Sequence, residues 1–142
     1  MSTLPVGSDG RLAAMPGLHH VEIWIADVDA VRREWGWLLE RLGYAHSAQW
    51  REGSTWEAEG AYLTFTTSPR LAATPHDRRR PGLDHLAFRG GSPAEVDAIL
   101  REAPDHGWTP LYAERYPHAG GPEHYAGWIE NSDGFKAEIV AD

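Results

Sequence analysis

The chain has 142 residues, a length that fits one domain of common size or two small modules with a shared core. It contains no cysteine, so disulfides, thiolate zinc sites, iron–sulfur clusters and cysteine nucleophiles are excluded. Its formal net charge of −8 disfavours binding to nucleic acid, because the phosphate backbone is also negative.

The first stretch of the chain, residues 1–15, is polar and contains glycine. We expect it to be a flexible leader, and it lacks the charged and long apolar regions of a signal peptide. No apolar run in the chain approaches the roughly 18 residues that cross a bilayer. The sequence therefore predicts a cytoplasmic protein that acts on a small-molecule substrate, with no nucleic-acid or membrane partner.

A four-letter phrase, glycine, leucine, one polar residue and histidine, occurs twice in the sequence. It reads GLHH at 17–20 and GLDH at 82–85, an offset of 65 residues. In each copy a short strand-like run follows, VEIWI or LAF, and then a segment with the apolar spacing of a helix. The agreement indicates a duplicated unit.

The first copy predicts a strand, a helix and three further strands between residues 16 and 68. Asp27 or Asp29 is a plausible N-cap for the helix. An apolar stripe on one helix face follows, with members at Val31, Trp35, Leu38 and Leu42. Segments with strand character then cover 45–51, 54–58 and 61–67.

The second copy predicts the same order of elements between residues 82 and 142. Ser92 can cap its helix, Pro93 suits the first helical position, and Glu95 completes a capping box. The helix is expected to end near residues 104–107, and strand segments follow at 109–115, 124–130 and 135–141. The two modules, 16–68 and 82–142, are joined by a linker at 69–81 that is rich in proline and arginine.

The closing strands of the two copies also align, but at an offset of 74 residues. GAYLTFT at 60–66 matches GFKAEIV at 134–140. The larger offset implies an insertion of about nine residues in the second copy, which we place in the loop 114–123. The sequence therefore predicts an α+β fold, with residues 16–142 forming a single domain of two tandem βαβββ modules.

Strand alternation divides the side chains of the first predicted strand between two faces. One face, which suits the lining of a cavity, carries His20, Glu22 and Trp24; the other, which we expect under the helix, carries Val21, Ile23 and Ile25. His85 is the counterpart of His20 in the second copy. The residue before each histidine, His19 or Asp84, is expected to point to the opposite face.

The last predicted strand contributes a third polar candidate, Glu138. It lies in an apolar setting, AEIVAD, where an unpaired carboxylate is costly to bury, and its counterpart in the first copy is Thr64. Two neutral imidazoles and one carboxylate, here His20, His85 and Glu138, are a common ligand set for Zn²⁺, Ni²⁺, Co²⁺, Mn²⁺ or Fe²⁺. Because positions remain open for water or substrate, the pattern favours a catalytic divalent metal site.

Further candidates surround the predicted ligands. Because Thr64 is a poor ligand, a fourth ligand would have to come from elsewhere. The candidates are Glu57, Glu59 and a water molecule. Proton transfer during catalysis is assigned to Glu22, His124 or Tyr125. Alternatively, Glu22 orients an imidazole and Tyr125 belongs to the core. The aromatic side chains that could line the pocket are Trp24, Trp56, Tyr62 and Trp128, with burial in the core an equal alternative for the last of them.

Three stretches of the sequence resemble the vicinal oxygen chelate superfamily, which includes glyoxalase I, fosfomycin- and bleomycin-resistance proteins and extradiol dioxygenases. They are LHHVEIWIADVD, GLDHLAFRG and HYAGWIENSDGFKAEIVAD. The resemblance implies paired βαβββ modules whose sheets curl around a metal-bearing cavity, and it carries ligand roles onto His20, His85 and Glu138. Thr64 stands where glyoxalase I enzymes have a glutamate, so the ligand set resembles that of fosfomycin-resistance transferases or extradiol dioxygenases more closely. The chain as a whole is most similar to the small glyoxalase-like members.

Three functions are consistent with this resemblance. The first is a metal-dependent glyoxalase-like lyase or isomerase acting on a small, oxygen-chelating substrate, in which the metal stabilises a developing anion. The alternatives are an Fe²⁺ extradiol-type dioxygenase and a non-enzymatic drug-binding resistance protein, which needs the cavity but no metal. Family members commonly form dimers, so we expect a homodimer whose site lies either within one chain or across two.

Overall fold

The computed structural model describes residues 16–142, and the predicted leader at 1–15 lies outside the described residues. The first half of the chain forms a four-stranded sheet with one helix. Its elements are β1 (His20–Trp24), α1 (Val28–Arg41), β2 (Ala45–Trp50), β3 (Gly53–Ala58) and β4 (Ala61–Thr66). The strand order is β1-β4-β3-β2, with β1 parallel to β4 and the other pairs antiparallel.

The second half repeats this arrangement. Its elements are β5 (His85–Gly91), α2 (Pro93–Glu102), β6 (Thr109–Leu111), β7 (Ala126–Glu130) and β8 (Lys136–Ala141), with short 3₁₀ helices at Ala103–His106 and Ala113–Arg115. The strand order is β5-β8-β7-β6, and β5 is parallel to β8. The fold is therefore α+β with two βαβββ modules, as the sequence predicts.

Strand pairing confirms the alignment of the two copies residue by residue. In the first sheet Glu22 of β1 lies opposite Thr64 of β4, and in the second sheet Ala87 of β5 lies opposite Glu138 of β8. The two sequence offsets are thus preserved in the hydrogen-bonded register. The histidines that end the two repeated phrases consequently occupy equivalent positions at the start of β1 and β5.

Both helices begin where the sequence predicts. At α1 the Asp27 carboxylate accepts hydrogen bonds from the backbone N–H groups of Asp29 and Ala30, at 3.0 and 3.2 Å, so Asp27 is the N-cap. At α2 the side chains of Ser92 and Glu95 each accept from the other's backbone N–H at 3.2 Å. Such caps stabilise a helix end by about 1 kcal/mol. In the part of the chain that the structure describes, neither helix has the length and apolar content that a membrane crossing needs.

One apolar core runs through both modules and is centred on Trp35 of α1. Its indole ring lies 5.1 Å from the ring of Phe65 in the first module and 4.9 Å from that of Trp108 in the second. The Trp108 indole N–H donates to the Glu34 carbonyl at 3.0 Å, and the Glu34 carboxylate accepts from the Ser132 hydroxyl at 2.9 Å. Helix α1 therefore fixes the two modules to each other.

The two faces of β1 separate as strand alternation predicts. Ile23 and Ile25 are buried in the core, and Val21 packs against it. His20 and Glu22 lie on the opposite face and are exposed. The polar face of the first sheet is therefore open to solvent in the single chain.

Two strands of the second module are shorter than predicted. The strand expected at 109–115 stops at Leu111, because Tyr112 has a left-handed φ of 56° and a 3₁₀ turn follows. The strand expected at 124–130 starts later, at Ala126. Both changes enlarge the loop between β6 and β7, which is where the sequence predicts the insertion.

Candidate functional site

The polar face of the second sheet holds two imidazoles around one carboxylate. Glu138, on β8, is 6% exposed. One of its oxygens accepts from Nε2 of His85 at 3.0 Å, and the other pairs with Nε2 of His124. Because a lone carboxylate is costly to bury, these two contacts explain how β8 tolerates it. Two of the predicted ligands and one of the predicted proton-transfer groups are therefore in direct contact.

Asp84 holds the other side of the His85 ring. Its Oδ1 lies 2.7 Å from Nδ1 of His85 and 3.3 Å from Nζ of Lys136. These two partners, the imidazole first, lower the pKa of the Asp84 carboxyl. A carboxylate behind a ligand histidine fixes the ring and increases its basicity. The sequence prediction that Asp84 faces away is wrong, because this residue precedes the first paired residue of β5 and escapes strand alternation.

His19, the counterpart of Asp84 in the first module, also contacts the histidine that follows it. Nδ1 of His19 lies 2.9 Å from Nδ1 of His20, so the prediction that His19 faces away is also wrong, for the same reason. His20 stacks on Tyr62, with 4.8 Å between the ring centroids. No hydrogen bond among the described residues joins His20 to His85 or Glu138.

His20 nevertheless faces the second module across a narrow cavity. This cavity has a volume of about 120 Å³, and its lining includes His20 and Val21 from β1 and Leu86 and Ala87 from β5. Ala87 is the strand neighbour of Glu138. The outer strands β1 and β5 therefore approach each other here, and β5 separates the predicted third ligand from the carboxylate.

His124 reaches Glu138 from the long loop, residues 112–125, which contains the predicted insertion. The end of this loop is fixed by a hydrogen bond of 3.0 Å from the backbone N–H of Ala126 to the carbonyl of Pro117. Gly120 lies against the imidazole so closely that a Cβ there would approach Cδ2 of His124 to 2.7 Å. The position of His124 therefore depends on a glycine that sequence analysis placed only in a generic insertion.

Tyr125 lies apart from this cluster. Its hydroxyl donates to Asp97 of α2 at 2.6 Å, and the hydroxyl of Tyr116 donates to the same oxygen. The two phenols lower the pKa of the Asp97 carboxyl, whereas burial and the neighbouring carboxylate raise the pKa of Tyr116. Tyr125 is thus engaged in anchoring the long loop to α2 rather than in contact with Glu138.

On the polar face of the first sheet, threonine hydroxyl groups form hydrogen bonds with neighbouring side chains. Thr64 is buried and shares a hydrogen bond of 2.9 Å with Thr55 on the neighbouring strand. Glu22 accepts from the indole N–H of Trp24 at 2.8 Å and from the hydroxyl of Thr66 at 3.5 Å. The predicted proton-transfer group Glu22 is therefore held by side chains of its own sheet.

The remaining candidates divide between surface and core. Glu57 lies on β3 and is exposed, and Glu59 occupies the turn after β3 with a φ of 51°. Trp56, a candidate for the pocket lining, is instead 1% exposed in the core. Trp128 is 8% exposed, and its ring lies 6.0 Å from that of His124. Trp128 is therefore the aromatic side chain that borders the imidazole–carboxylate cluster.

The donor set of the second sheet suits a divalent metal in kind. Two imidazole nitrogens and a carboxylate are common ligands of catalytic metals, and Asp84 provides support behind one of them. In residues 16–142, however, no three His, Asp or Glu side chains surround one metal position. His85 and His124 instead contact Glu138 directly. Metal binding would replace one of these hydrogen bonds and bring in a further ligand.

Comparison with known proteins identifies the family. Residues 19–128 match the sequence profile of the glyoxalase/bleomycin resistance protein/dioxygenase superfamily. The chain belongs to this superfamily. The matched residues include both histidines of the repeated phrases and end within β7, before the strand that carries Glu138.

Relatives within the superfamily share both sequence and fold. The uncharacterized protein YqjT of Bacillus subtilis (strain 168) is 38% identical over 125 residues, which are 87% of this chain and 98% of the relative. The crystal structure of a candidate glyoxalase from Bacillus halodurans is 38% identical, with a TM-score of 0.83 over 88% of this chain and 95% of that chain. A glyoxalase/bleomycin resistance protein from Albidiferax ferrireducens T118, at 20% identity and a TM-score of 0.69 over 88% and 98% of the two chains, shows the fold alone.

Proposed function

We propose that the protein is a metal-dependent glyoxalase-like lyase or isomerase, acting on a small substrate that can chelate the metal through two oxygens. The observation that carries the proposal is the buried carboxylate of Glu138 between the imidazoles of His85 and His124. A second carboxylate, that of Asp84, stands behind His85. Paired imidazoles with a carboxylate behind one of them are common surroundings of a catalytic divalent cation.

We assign His20, His85 and Glu138 as metal ligands. The two histidines occupy equivalent strand positions in the two modules, and strands hold ligand atoms more rigidly than loops do. The cavity shared by β1 and β5 brings His20 to the edge of the second sheet. Ligation by His20 would require its ring to release the contact with His19.

The metal, when bound, supplies a Lewis acid that stabilises the negative charge developing on the substrate oxygens. His124 is assigned to proton transfer, because its side chain is 40% exposed and stands on a loop rather than on a strand. Its contact with Glu138 orients the ring and leaves it able to accept a proton from the substrate and return it. Trp128 borders this imidazole and shields one side of it from water.

The first experiment measures the metal in protein purified without an affinity tag, because a histidine tag itself binds metal. We expect about one divalent ion per chain, either as purified or after anaerobic reconstitution. His85→Ala should abolish this binding and leave the far-ultraviolet circular dichroism unchanged, since the ring lies on the polar face. Less than about 0.2 equivalents with no gain on reconstitution would contradict the proposal and favour a binding protein without metal.

The second experiment identifies the reaction. Protein loaded anaerobically with each of Zn²⁺, Ni²⁺, Co²⁺, Mn²⁺ and Fe²⁺ is offered the methylglyoxal–glutathione adduct, fosfomycin and catechols. We expect turnover of a non-aromatic, oxygen-chelating substrate without oxygen uptake. Oxygen consumption with a catechol in the Fe²⁺ form would support a dioxygenase instead, and turnover that does not depend on the metal would contradict the proposed mechanism.

We further propose that the chain acts as a homodimer. Leu18 and Leu83, which flank the two repeated histidines in sequence, are 73% and 39% exposed in the single chain, as is expected of an uncovered interface. Light scattering after size exclusion measures the oligomeric state. Mixing the His20→Ala and His85→Ala variants then locates the site: recovered metal binding shows that each site uses two chains, and no recovery places it within one.

A further inference from the structure

A separate cavity lies between the inter-module linker and the second sheet. It has a volume of about 500 Å³, and its lining includes Arg78, Arg79 and Arg80 from the linker and Glu130 and Gly134 from the end of β7 and the turn that follows. We call it the arginine cavity. Three consecutive arginines at one cavity form a local concentration of positive charge in a chain whose formal net charge is −8.

Two nitrogen atoms of residues that line the arginine cavity are buried without a hydrogen-bond partner, namely Nε2 of His76 and Nε of Arg78. Nε of Arg78 lies 3.5 Å from Oε1 of Glu130, which is longer than a good hydrogen bond. The His76 ring is held in place by stacking on Phe135, with 3.8 Å between the ring centroids. A buried nitrogen without a partner costs free energy. Because the Nε–H of Arg78 can only donate, it points to a ligand that carries acceptor oxygens.

The arginines of this cavity outnumber the carboxylates that they contact. Asp77 binds Arg79, with 3.2 Å between Oδ1 and Nε, and Glu130 is the partner of Arg78. Arg80 is exposed and forms no ion pair with any residue in 16–142. One positive charge in the lining is therefore left without a partner of opposite sign.

The arginine cavity lies at the end of the polar face that carries His85. Glu130 and Lys136 are opposite each other on β7 and β8. Nζ of Lys136 lies 3.3 Å from Asp84, which in turn holds His85. A row of charged side chains therefore leads from Arg78 to His85, and a small molecule that reacts at His85 would extend along it toward the arginines.

We infer that the arginine cavity is an anion subsite, which binds a carboxylate or phosphate group of the substrate. The inference rests on the proposed function, because it places the reacting end of the same substrate at His85 and Glu138. A guanidinium suits this role, since it donates two parallel N–H groups to the oxygens of a carboxylate or a phosphate. A neutral substrate would leave the extra positive charge without a partner of opposite sign.

The test uses inorganic phosphate and acetate as probes on the full-length, metal-free protein, so that the result is independent of the metal site. The arginine Nε–Hε signals in ¹H–¹⁵N NMR spectra report on the guanidinium groups directly. At constant ionic strength we expect a saturable shift of the Arg78 signal, and the tighter of the two anions identifies the group that the substrate carries. Shifts that do not saturate, or that chloride reproduces, would overturn the inference.

Matched variants complete the test. Arg78→Gln should weaken anion binding by about tenfold or more, because charge-assisted hydrogen bonds are lost. Arg89→Gln, an exposed position that pairs with Asp142 near the far end of β5, should leave it unchanged. If Arg78→Gln does not fold, Arg80→Gln takes its place and should also weaken binding. Equal binding in all variants overturns the anion subsite, whereas saturable anion binding by a wild-type protein that takes up no metal on reconstitution overturns the proposed function alone.

Discussion

The two modules carry different side chains at one matched strand position. Thr64 in the first and Glu138 in the second lie in the same register relative to the opening histidines. Thr64 shares a hydrogen bond with Thr55, whereas Glu138 contacts two imidazoles. The two copies thus keep the same backbone arrangement, while one carboxylate converts a hydroxyl-bonded face into a candidate metal centre.

The loops of the two modules differ as well. Strands β2 and β3 are joined by a tight turn at residues 51–52, whereas β6 and β7 are separated by the long loop. The longer connection allows His124 to reach Glu138 and allows the Tyr112 hydroxyl to accept from Nζ of Lys136 at 3.1 Å. An insertion in one copy therefore adds functional groups without altering the strand register, as loops on a rigid sheet commonly do.

Glu138→Gln should produce the largest effect, because it removes the charge that distinguishes the two modules. A neutral amide is a poor ligand, so metal content should fall below about 0.2 equivalents. The free energy of unfolding should fall by about 1.5–3 kcal/mol for each charge-assisted hydrogen bond that is lost. Metal analysis and urea unfolding measure the two effects.

The matched control is Thr64→Val. It removes a neutral hydrogen bond at the equivalent position, so we expect a loss of about 1 kcal/mol in unfolding free energy and unchanged metal content. Equal loss of metal in both variants would contradict the distinction between the modules.

His20→Ala and His124→Ala test whether the first module contributes a ligand. His20→Ala should weaken metal affinity by about a hundredfold or more, because a bond to the metal is lost. His124→Ala should keep the metal and lower kcat by about 10²–10⁴-fold, the range for loss of an acid–base group. Chelator competition gives the affinity, and steady-state kinetics on the identified substrate give kcat. The reverse pattern would place the third ligand in the long loop.

Asp84→Asn and His19→Ala change the residue that precedes the opening histidine in each module. Loss of the carboxylate behind His85 should weaken metal affinity by about 10–100-fold, as is usual for such supporting partners. His19→Ala, at the matched position of the first module, should have a smaller effect, because the imidazole there carries no carboxylate charge. Competition with a chromogenic chelator measures both, and an equal effect of the two variants would be inconsistent with the support assigned to Asp84.

Asp97→Asn should give the smallest effect, at the contact that anchors the long loop. Because Tyr116 and Tyr125 lower the pKa of the Asp97 carboxyl in the folded protein, the contact stabilises the fold above the ordinary carboxyl pKa of about 3.9. This stability is lost as the pH falls through the lower folded pKa. Wild type should therefore melt at a higher temperature than Asp97→Asn at pH 7, and the difference should be smaller at an acidic pH below the ordinary carboxyl pKa. Circular dichroism melts at both pH values provide the check, and an unchanged difference would contradict the assigned cause.

The module order was predictable from sequence because its signals are local or repeated. The capping box of Ser92 and Glu95 marks the start of α2, and the two offsets of the repeat already align Thr64 with Glu138. The capping box and the repeat offsets are visible in the order of residues along the chain, and the folded strands keep that order in their pairing register. The candidate ligands His85 and Glu138 were therefore accessible without a structure.

The supporting contacts were not predictable in the same way. Strand alternation misplaced His19 and Asp84, because it applies only to residues within a paired strand. The contact of His124 with Glu138 depends on how the long loop folds around Gly120. Such contacts arise from tertiary structure, and no local spacing in the sequence encodes them.

The most direct test is a calorimetric titration of the metal-free protein with Zn²⁺, performed in two buffers of different ionisation enthalpy. It measures both the number of ions bound and the number of protons released. We predict one ion per chain, with proton release because metal binding displaces protons from the ligand groups, and no saturable binding in Glu138→Gln. The absence of saturable binding in wild type, or its retention in Glu138→Gln, would contradict the assignment of a metal centre to the second module.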